Sequence, residues 1–460
     1  MRTRISIQGL RSILAMSLLL SFQGAIADWA VPEALKAKVE SLSADQRDFI
    51  ASGAAIDIMP ERQLIHELTT RDAASLAELI DDLIAVAEQM GYSPERDMGA
   101  APLNLASKRF VRAVRTPPGL RDKREPGPFS VHRYLEPKSG IPTFGGAKVA
   151  VWPEDLVAGN VDVAIMGVPS DMSSGQRDAA WAPDEMRALN TIATPDVQSL
   201  VKPLEVLSVV DYGNLHVDAM SLERTINHVA DMVAETAGTG AVPMIVGGDT
   251  SMLYPGVKGV ATTQGKSTFG LLHFSAHPDV ERHGDHTISD RQAIFRLLDE
   301  GVVAGADTIQ VGLRGPDVDA ETLQWLRGKG VRYHTMAEVL QRGPDDVLKR
   351  VRREVDRGPE AFFVSVDVSA LAPAEMIAAG RVEANGLSIE QVTQTIRYVC
   401  AAKDITGFEI TDLAPMMDLS DLSVIHANAV LNACLVGMAV RKAGLAPDYV
   451  HPLALGHGQR

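Results

Sequence analysis

Cysteine is nearly absent from this sequence of 460 residues, which contains only Cys400 and Cys434. Two cysteines cannot build a disulfide framework, so a hydrophobic core must hold the fold together. Both lie in apolar stretches with helical spacing, and our interpretation is that they are buried, unpaired thiols. An oxidising compartment would also permit one disulfide between them.

Positive charge is scarce as well. The chain has 44 lysines and arginines against 59 aspartates and glutamates, which gives a net charge of -15 at pH 7. This balance argues against a nucleic-acid partner, because a phosphate backbone repels an acidic surface. It is compatible with a cationic ligand and, more simply, with an acidic surface that keeps the protein in solution.

Long hydrophobic runs are missing beyond the N-terminus, so we expect no membrane span in the body of the chain. The N-terminus itself has the three parts of an export signal. These parts are Arg2, Arg4 and Arg11, the apolar residues 13–20, and the small-x-small site Ala25-Ile26-Ala27. The apolar run is well under the ~20 residues of a transmembrane helix, which argues against an anchor. We predict a signal peptide at residues 1–27 and a periplasmic or secreted protein with no membrane contact after cleavage.

Three regions follow the predicted signal. In residues 28–92, Asp72 precedes apolar residues at helical spacing, which indicates a helical extension with one buried face. That face would pack on its own helices, on the main domain or on another subunit. Residues 93–144 are rich in proline and form either an arm onto a neighbouring subunit or a disordered linker. Residues 145–460 are predicted to form one α/β domain.

Short apolar runs alternate with helical stretches throughout this last region. The runs are residues 163–168, 204–210, 242–246, 269–274, 308–312, 331–334, 362–366 and 405–410. They are apolar at successive positions, as in strands that are covered on both faces. The alternation predicts a doubly wound, mostly parallel sheet of about eight strands.

Polar residues follow four of these runs directly. They are Asp249 to Ser251, Ser275 to Asp279, Asp367 to Ser369, and Asp412. In a parallel sheet the carboxyl ends of the strands lie at one edge, where ligands bind. Each Asp alone could simply cap the next helix, but four such ends together predict a functional site.

These segments resemble the signature segments of the ureohydrolases, the family of arginases and agmatinases, from about Gly140 to the C-terminus. The resemblance implies an arginase-like fold and a pair of divalent ions, usually manganese and sometimes nickel. In that family the two ions share a hydroxide that attacks a guanidinium carbon and releases urea. Bound ions are needed because they lower the pKa of water toward ~7.

Three of the six ligand positions that the resemblance implies are replaced. Thr250 stands where the family has the histidine of Gly-Gly-Asp-His-Ser, and Ser275 stands where Asp-Ala-His-x-Asp has its bridging aspartate. Ser369 stands where Ser-x-Asp-x-Asp has its second aspartate. Neutral hydroxyls are weak ligands for such ions. The metal pair of the family is therefore not expected.

The other three implied ligands, His277, Asp279 and Asp367, are retained. Two carboxylates can balance the charge of only one dication, so we expect one Mn, Ni or Zn ion of low affinity, or none. On this interpretation, the triple variant Thr250→His, Ser275→Asp and Ser369→Asp should regain two ions.

Two further positions bear on substrate handling. By resemblance, Asp412 occupies the place of the carboxylate that holds the substrate guanidinium, one methylene shorter than the family's glutamate. The proton-relay histidine of the family has no clean counterpart. His286, with His283 beside it, is a weak candidate, and solvated loop positions are the simpler interpretation of both.

Two functions remain open at this point. The joint loss of three ligands favours a catalytically degenerate protein, acting either as a subunit beside an active ureohydrolase or as a binder of a small guanidino compound. The alternative is an active amidinohydrolase that cleaves a linear amidine with one ion, since open catalytic sites generally keep three protein ligands.

The first prediction concerns assembly. Because a proline-rich arm precedes the α/β domain, we expect the mature protein to form homo-oligomers or hetero-oligomers, and deletion of residues 28–144 should weaken them. Light scattering of the mature chain and of the truncated chain measures this. A monodisperse monomer, unchanged when an active ureohydrolase is added, would contradict it.

Overall fold

The computed structural model describes residues 29, 31–90, 142–173, 178–189, 195–282 and 288–456. The predicted signal peptide, residues 1–27, lies outside the described residues, and so does most of the predicted arm. The chain divides into two compact units, a helical one near the N-terminus and a larger α/β one.

The N-terminal unit consists of helices in its described part. They are α1 (Lys36–Val39), α2 (Ala44–Ala51), α3 (Ala54–Ile58), α4 (Glu61–Thr70) and α5 (Ala73–Met90). Asp72 caps α5 by accepting a hydrogen bond from the amide of Ser75 at 2.9 Å. Leu76 and Ile80 of α5 are fully buried and pack in one apolar cluster with Leu64 of α4. The predicted buried face is therefore present, and its partners are the helices of the same unit.

The α/β unit contains twelve helices in its described residues. They are α6 (Pro153–Ala158), α7 (Ala182–Leu189), α8 (Pro203–Val206), α9 (Leu222–Gly238), α10 (Leu253–Gln264), α11 (Ala293–Asp299), α12 (Ala320–Gly328), α13 (Met336–Arg342), α14 (Pro344–Asp356), α15 (Ile389–Ala402), α16 (Leu422–Lys442) and α17 (Pro452–Leu455).

The described strands form one nine-stranded sheet in the order β1-β3-β2-β4-β9-β8-β5-β6-β7, and every neighbouring pair is parallel. The strands are β1 (Lys148–Val149), β2 (Val163–Gly167), β3 (Val209–Asn214), β4 (Val242–Val246), β5 (Gly270–Phe274), β6 (Thr308–Leu313), β7 (Arg332–Thr335), β8 (Ala361–Asp367) and β9 (Asp404–Thr411). The predicted α/β fold class is confirmed.

Helices cover both faces of this sheet. Along β2, Val163 and Ile165 belong to one apolar core, whereas Ala164 and Met166 belong to another. Successive side chains of a strand point to opposite faces, so both faces must be covered for such a run to be buried. The first core is completed mainly by α14, α15 and α16, and the second by α9, α10 and α11.

Two details of the strand prediction were wrong. Residues 204–206 were expected in a strand, but they belong to the short helix α8, which begins at Pro203. Proline is favoured in the first turn of a helix because its missing N–H has no helical partner there. The edge strand β1 was not expected, since two residues are too short for a sequence pattern.

Helix α16 corrects the expectation that no later segment could span a membrane. Its 21 residues are long and apolar enough by length and composition, the one such helix among the described residues. However, 67% of its most apolar window is buried inside the protein. It packs along α15 in the first core, as the central helix of a globular domain does.

The two cysteines form a disulfide, which corrects the interpretation as unpaired thiols. Cys400 of α15 is bonded to Cys434 of α16, with their Cα atoms 5.3 Å apart. Gly437 allows the two helices to approach, because a Cβ there would lie 2.5 Å from the carbonyl oxygen of Arg397. A disulfide is the state expected of a protein in an oxidising compartment.

The second prediction is that this disulfide adds measurable stability. It closes a loop with a sequence separation of 34, so the variant Cys400→Ala/Cys434→Ala should lose about 2–4 kcal/mol of unfolding free energy in denaturant titrations. Reducing agent should cause a comparable loss in the parent and none in the variant. Two free thiols in the unreduced, denatured parent would contradict the prediction.

Candidate functional site

The carboxyl ends of four adjacent strands converge at the middle of the sheet, in the order β4-β9-β8-β5. The seven predicted site residues that fall in the described part of the chain all lie at these ends, and all are buried. They are Thr250, Ser275, His277, Asp279, Asp367, Ser369 and Asp412. The weak relay candidate His286, together with His283, lies outside the described residues.

The carboxylate of Asp367 is the centre of this cluster. The hydroxyls of Thr250 and Ser275 donate to its Oδ2 atom at 3.0 and 3.1 Å. The backbone amide of Ser369 donates to Oδ1 at 2.8 Å. All three residues that replace family ligands thus hydrogen-bond to one carboxylate, and this network needs no ion to satisfy it.

His277 is held by the same replaced positions. Its backbone amide donates to the Ser275 hydroxyl oxygen at 3.0 Å, and its Nδ1 lies 3.3 Å from the Ser369 hydroxyl. The same Nδ1 is 4.0 Å from Asp367, and Nε2 is 3.6 Å from a carboxylate oxygen of Glu383. Glu383, whose side chain is 24% exposed, is the outermost member of the cluster.

A buried arginine contacts the retained carboxylates. The Nη2 atom of Arg381 lies 3.0 Å from Asp279 Oδ1 and 3.5 Å from Asp367 Oδ2. Its Nε atom lies 3.2 Å from Asp290 Oδ2. Only 9% of Arg381 is exposed to solvent. One guanidinium is therefore paired with both aspartates that the sequence offered as metal ligands.

The titration behaviour of these carboxyls follows from that pairing. Burial alone would raise the pKa of Asp279, but Arg381 and the nearby imidazoles hold that pKa below its ordinary value. The pKa of Asp367 is likewise lowered against burial, by its His277 and Arg381 neighbours. Burial raises the pKa of Asp290 to about 6, with only partial compensation from Arg381. The guanidinium thus helps to keep Asp279 and Asp367 ionised despite their burial.

Asp412 holds the arginine's backbone, not its guanidinium. Its Oδ2 accepts a hydrogen bond from the backbone amide of Arg381 at 2.8 Å, and its own amide donates to the carbonyl oxygen of Gly248 at 2.9 Å. Burial and the nearby Asp367 raise the pKa of Asp412 well above its ordinary value. Its φ of 67° lies in the left-handed region, which is uncommon for a residue other than glycine. Asp412 therefore joins the loop of Arg381 to the end of β9.

A second group of hydrogen-bonded polar side chains lies next to the Asp367 cluster. The Nδ1 atom of His273 lies 2.9 Å from the hydroxyl of Ser365, which donates to Glu409 at 2.6 Å. On the far side of the ring, Nε2 of His273 lies 3.6 Å from Asp279. Burial raises the pKa of Glu409 to about 8, so that carboxyl is mainly protonated at pH 7. These residues support Asp279 from within the sheet.

This arrangement does not fit the metal pair. A dication needs several free oxygen or nitrogen lone pairs, with carboxylates to balance its charge. Here Asp279 and Asp367 already pair with the guanidinium of Arg381, and two hydroxyls donate to Asp367. No group of three or more His, Cys, Asp or Glu side chains in the described part of the chain could hold a metal ion.

Sequence reasoning missed Arg381 and Asp290. Neither lies in a strand-end segment, and Arg381 follows a run of small residues in the loop after β8. Charge balance could have found the arginine, because buried carboxylates with too few other metal ligands around them need another cation. An Arg or Lys near the retained aspartates was therefore a requirement that could have been stated in advance.

Comparison with known proteins identifies relatives for the α/β unit. The model of the arginase family matches residues 161–437. Guanidinobutyrase of Pseudomonas aeruginosa is 26% identical over 313 residues, which cover 66% of this chain and 96% of that protein. Mitochondrial agmatinase of Gallus gallus is 26% identical over 291 residues, which cover 62% of this chain and 83% of that protein.

A solved structure shows the same fold. Proclavaminate amidino hydrolase of Streptomyces clavuligerus superposes with a TM-score of 0.59 at 22% identity, over 67% of this chain and 99% of that one. Members of the matched family typically depend on a divalent metal. In the described site of this chain, Arg381 is paired with the two aspartates that the resemblance assigns as ligands of such an ion.

The third prediction follows from the position of Arg381. The structure changes the expectation for the triple variant Thr250→His, Ser275→Asp and Ser369→Asp, because it leaves the guanidinium on Asp279 and Asp367. The triple variant should take up little metal, whereas adding Arg381→Ala should produce uptake of two divalent ions. Excess ion should then stabilise the quadruple variant by about 2.7 kcal/mol at a hundredfold excess over the dissociation constant.

Metal analysis after manganese saturation and desalting, with calorimetry, measures this difference. Equal uptake of two ions by the triple and quadruple variants would show that Arg381 is no obstacle.

Proposed function

This chain belongs to the arginase family, and on that premise we propose that it is a catalytically silent member, exported from the cytoplasm, that acts as a subunit of a larger assembly. The observation that carries the proposal is the contact of Arg381 with Asp279 and Asp367 at 3.0 and 3.5 Å. A hydrolase of this family needs an activated water, which in turn needs bound ions.

The proposal selects between the two degenerate roles that the sequence left open. A small guanidino ligand would need carboxylates to receive its planar cation. In this site Asp279 and Asp367 already pair with the internal guanidinium, and Asp412 is bonded to a backbone amide. The subunit role is therefore favoured over the binding of a guanidino compound.

Export is proposed from two independent features. The N-terminal residues have the pattern of a signal peptide, as described above. The Cys400–Cys434 disulfide lies between two core helices, and such bonds persist mainly in oxidising compartments. The periplasm and the external medium both meet this condition.

A role in assembly is supported by the additional unit. The family match begins at residue 161, so the helices between residues 33 and 90 lie outside it. That unit has a buried core of its own, which is what an added folded module requires. Two partners would suit this role, a second copy of this chain or an active ureohydrolase.

The fourth prediction tests the silent function directly. The purified mature protein, incubated with Mn, Ni or Zn and desalted, should retain no stoichiometric ion. It should release no urea from guanidinobutyrate, guanidinopropionate or agmatine, the compounds in the names of its relatives. Guanidinobutyrase of Pseudomonas aeruginosa, treated in parallel, is the positive control.

The alternative function has its own signature in the same measurements. One ion per chain together with urea or ammonia release would establish a single-ion amidinohydrolase that uses His277, Asp279 and Asp367. That result would require Arg381 to leave the two aspartates, and it would end the silent proposal.

A further inference from the structure

The guanidinium of Arg381 contacts three carboxylates from different parts of the fold. Asp279 follows β5, Asp367 ends β8, and Asp290 precedes α11. The contacts measure 3.0, 3.5 and 3.2 Å. A planar guanidinium has five N–H donors in a fixed fork and can serve several carboxylates at once. The three acidic side chains thus surround one shared cation.

We infer that Arg381 is a built-in guanidinium that pairs with these carboxylates in place of a metal ion, and that removal of its side chain leaves a buried site selective for a free guanidinium ion. The inference rests on the proposed absence of a metal pair in the natural protein. It goes beyond that proposal by naming a ligand, the guanidinium ion, and a binding site that opens only when the Arg381 side chain is removed.

The loop that carries Arg381 is fixed on its inner side by β9. The backbone amide of Arg381 donates to Asp412 Oδ2 at 2.8 Å, and the amide of Gly380 donates to the Asp412 carbonyl at 2.8 Å. Ala379 pairs with Leu413 in an antiparallel bridge. The backbone at residue 381 is therefore held independently of the guanidinium, and truncation of the side chain should leave a cavity in an otherwise intact loop.

A second arginine holds the outer side of the same loop. The buried guanidinium of Arg314 donates to the carbonyls of Ser369 at 2.7 Å and Leu371 at 3.2 Å. It also donates to the carbonyls of Glu383 at 3.1 Å and Ala384 at 2.9 Å. Because these bonds join both ends of the loop to one side chain, the loop is a fixed part of the site and not a lid.

An acceptor atom for a free ion is already in place. Oδ2 of Asp279 is buried and has no hydrogen-bond partner among the described residues. Asp279 is 2% exposed. Buried acceptors of this kind gain free energy from any donor that reaches them. A guanidinium ion that is free to rotate can reach acceptors that a tethered side chain leaves unpaired.

A divalent ion is a poorer fit for the same cavity. The hydroxyls of Thr250 and Ser275 both donate to Asp367 Oδ2, so their hydrogens face the oxygen that an ion would use. An ammonium ion carries the same charge as guanidinium but lacks the planar fork. Guanidinium should therefore bind in preference to manganese and to ammonium.

The fifth prediction compares Arg381→Ala with the parent in thermal unfolding. The variant should unfold at a lower temperature, because it leaves buried carboxylates without a cation. Guanidinium chloride at low millimolar concentration should restore the midpoint, by about 5 °C at a hundredfold excess over the dissociation constant. Equal concentrations of sodium, ammonium or manganese chloride should not. Denaturation by guanidinium is negligible in this range.

A matched control removes an arginine that has only a surface contact. Arg342 is paired with Glu338 at 3.5 Å, and its side chain is 61% exposed. Arg342→Ala should show no stabilisation by guanidinium. A similar response in Arg342→Ala and Arg381→Ala, or rescue of Arg381→Ala by manganese instead of guanidinium, would overturn the inference.

Arg381→Lys provides a second test if Arg381→Ala does not fold. The lysine keeps the charge but lacks the planar five-donor fork of the guanidinium, so this variant should melt below the parent and respond less to guanidinium than Arg381→Ala. A melting temperature equal to that of the parent would show that charge alone suffices. Metal uptake and turnover by the parent test the proposed function separately, so failure of one idea is distinguishable from failure of the other.

Discussion

The structure of the site depends on one requirement, that the buried carboxylates at the strand ends be paired with a cation. Asp279 and Asp367 are almost completely buried, and an isolated ionised carboxylate in such a place costs several kcal/mol at least. Arg381 meets the requirement from a loop that Asp412 and Arg314 hold in place. The hydroxyls of Thr250 and Ser275 complete the network, since both donate to Asp367, the more distant of the two aspartates from the guanidinium.

On the proposed function, this exchange would convert a reactive site of the arginase family into a stabilising one. A dication with an open coordination position can bind and activate water. A guanidinium has no such position, because its donors are fixed and it cannot accept a lone pair. The substitutions at Thr250, Ser275 and Ser369 therefore belong with Arg381 as parts of one change. Each stands at a position that the resemblance gives to a metal ligand. Thr250 and Ser275 now donate to Asp367 through their hydroxyls, and Ser369 donates to it through its backbone amide.

Much of the architecture was predictable because it depends on local periodicity. The run at residues 242–246 coincides with β4, and the pattern after Asp72 coincides with a capped helix. The errors arose where local pattern competes with context. Residues 204–206 are apolar like a strand, but the helix begins at Pro203. Cys400 and Cys434 have the apolar surroundings of free thiols, and only the close packing of α15 on α16 brings their sulfur atoms together.

The sequence by itself determined the fold class, the four strand ends that form the site and the residues at the three replaced positions, because all of these depend on the order of residues along single segments. Tertiary structure alone decided which cation pairs with the buried aspartates. Arg381 lies 102 positions from Asp279, and no motif spacing relates the two residues. Their pairing follows from the burial of like charges at one sheet edge, a condition that exists only once the strands have been brought side by side.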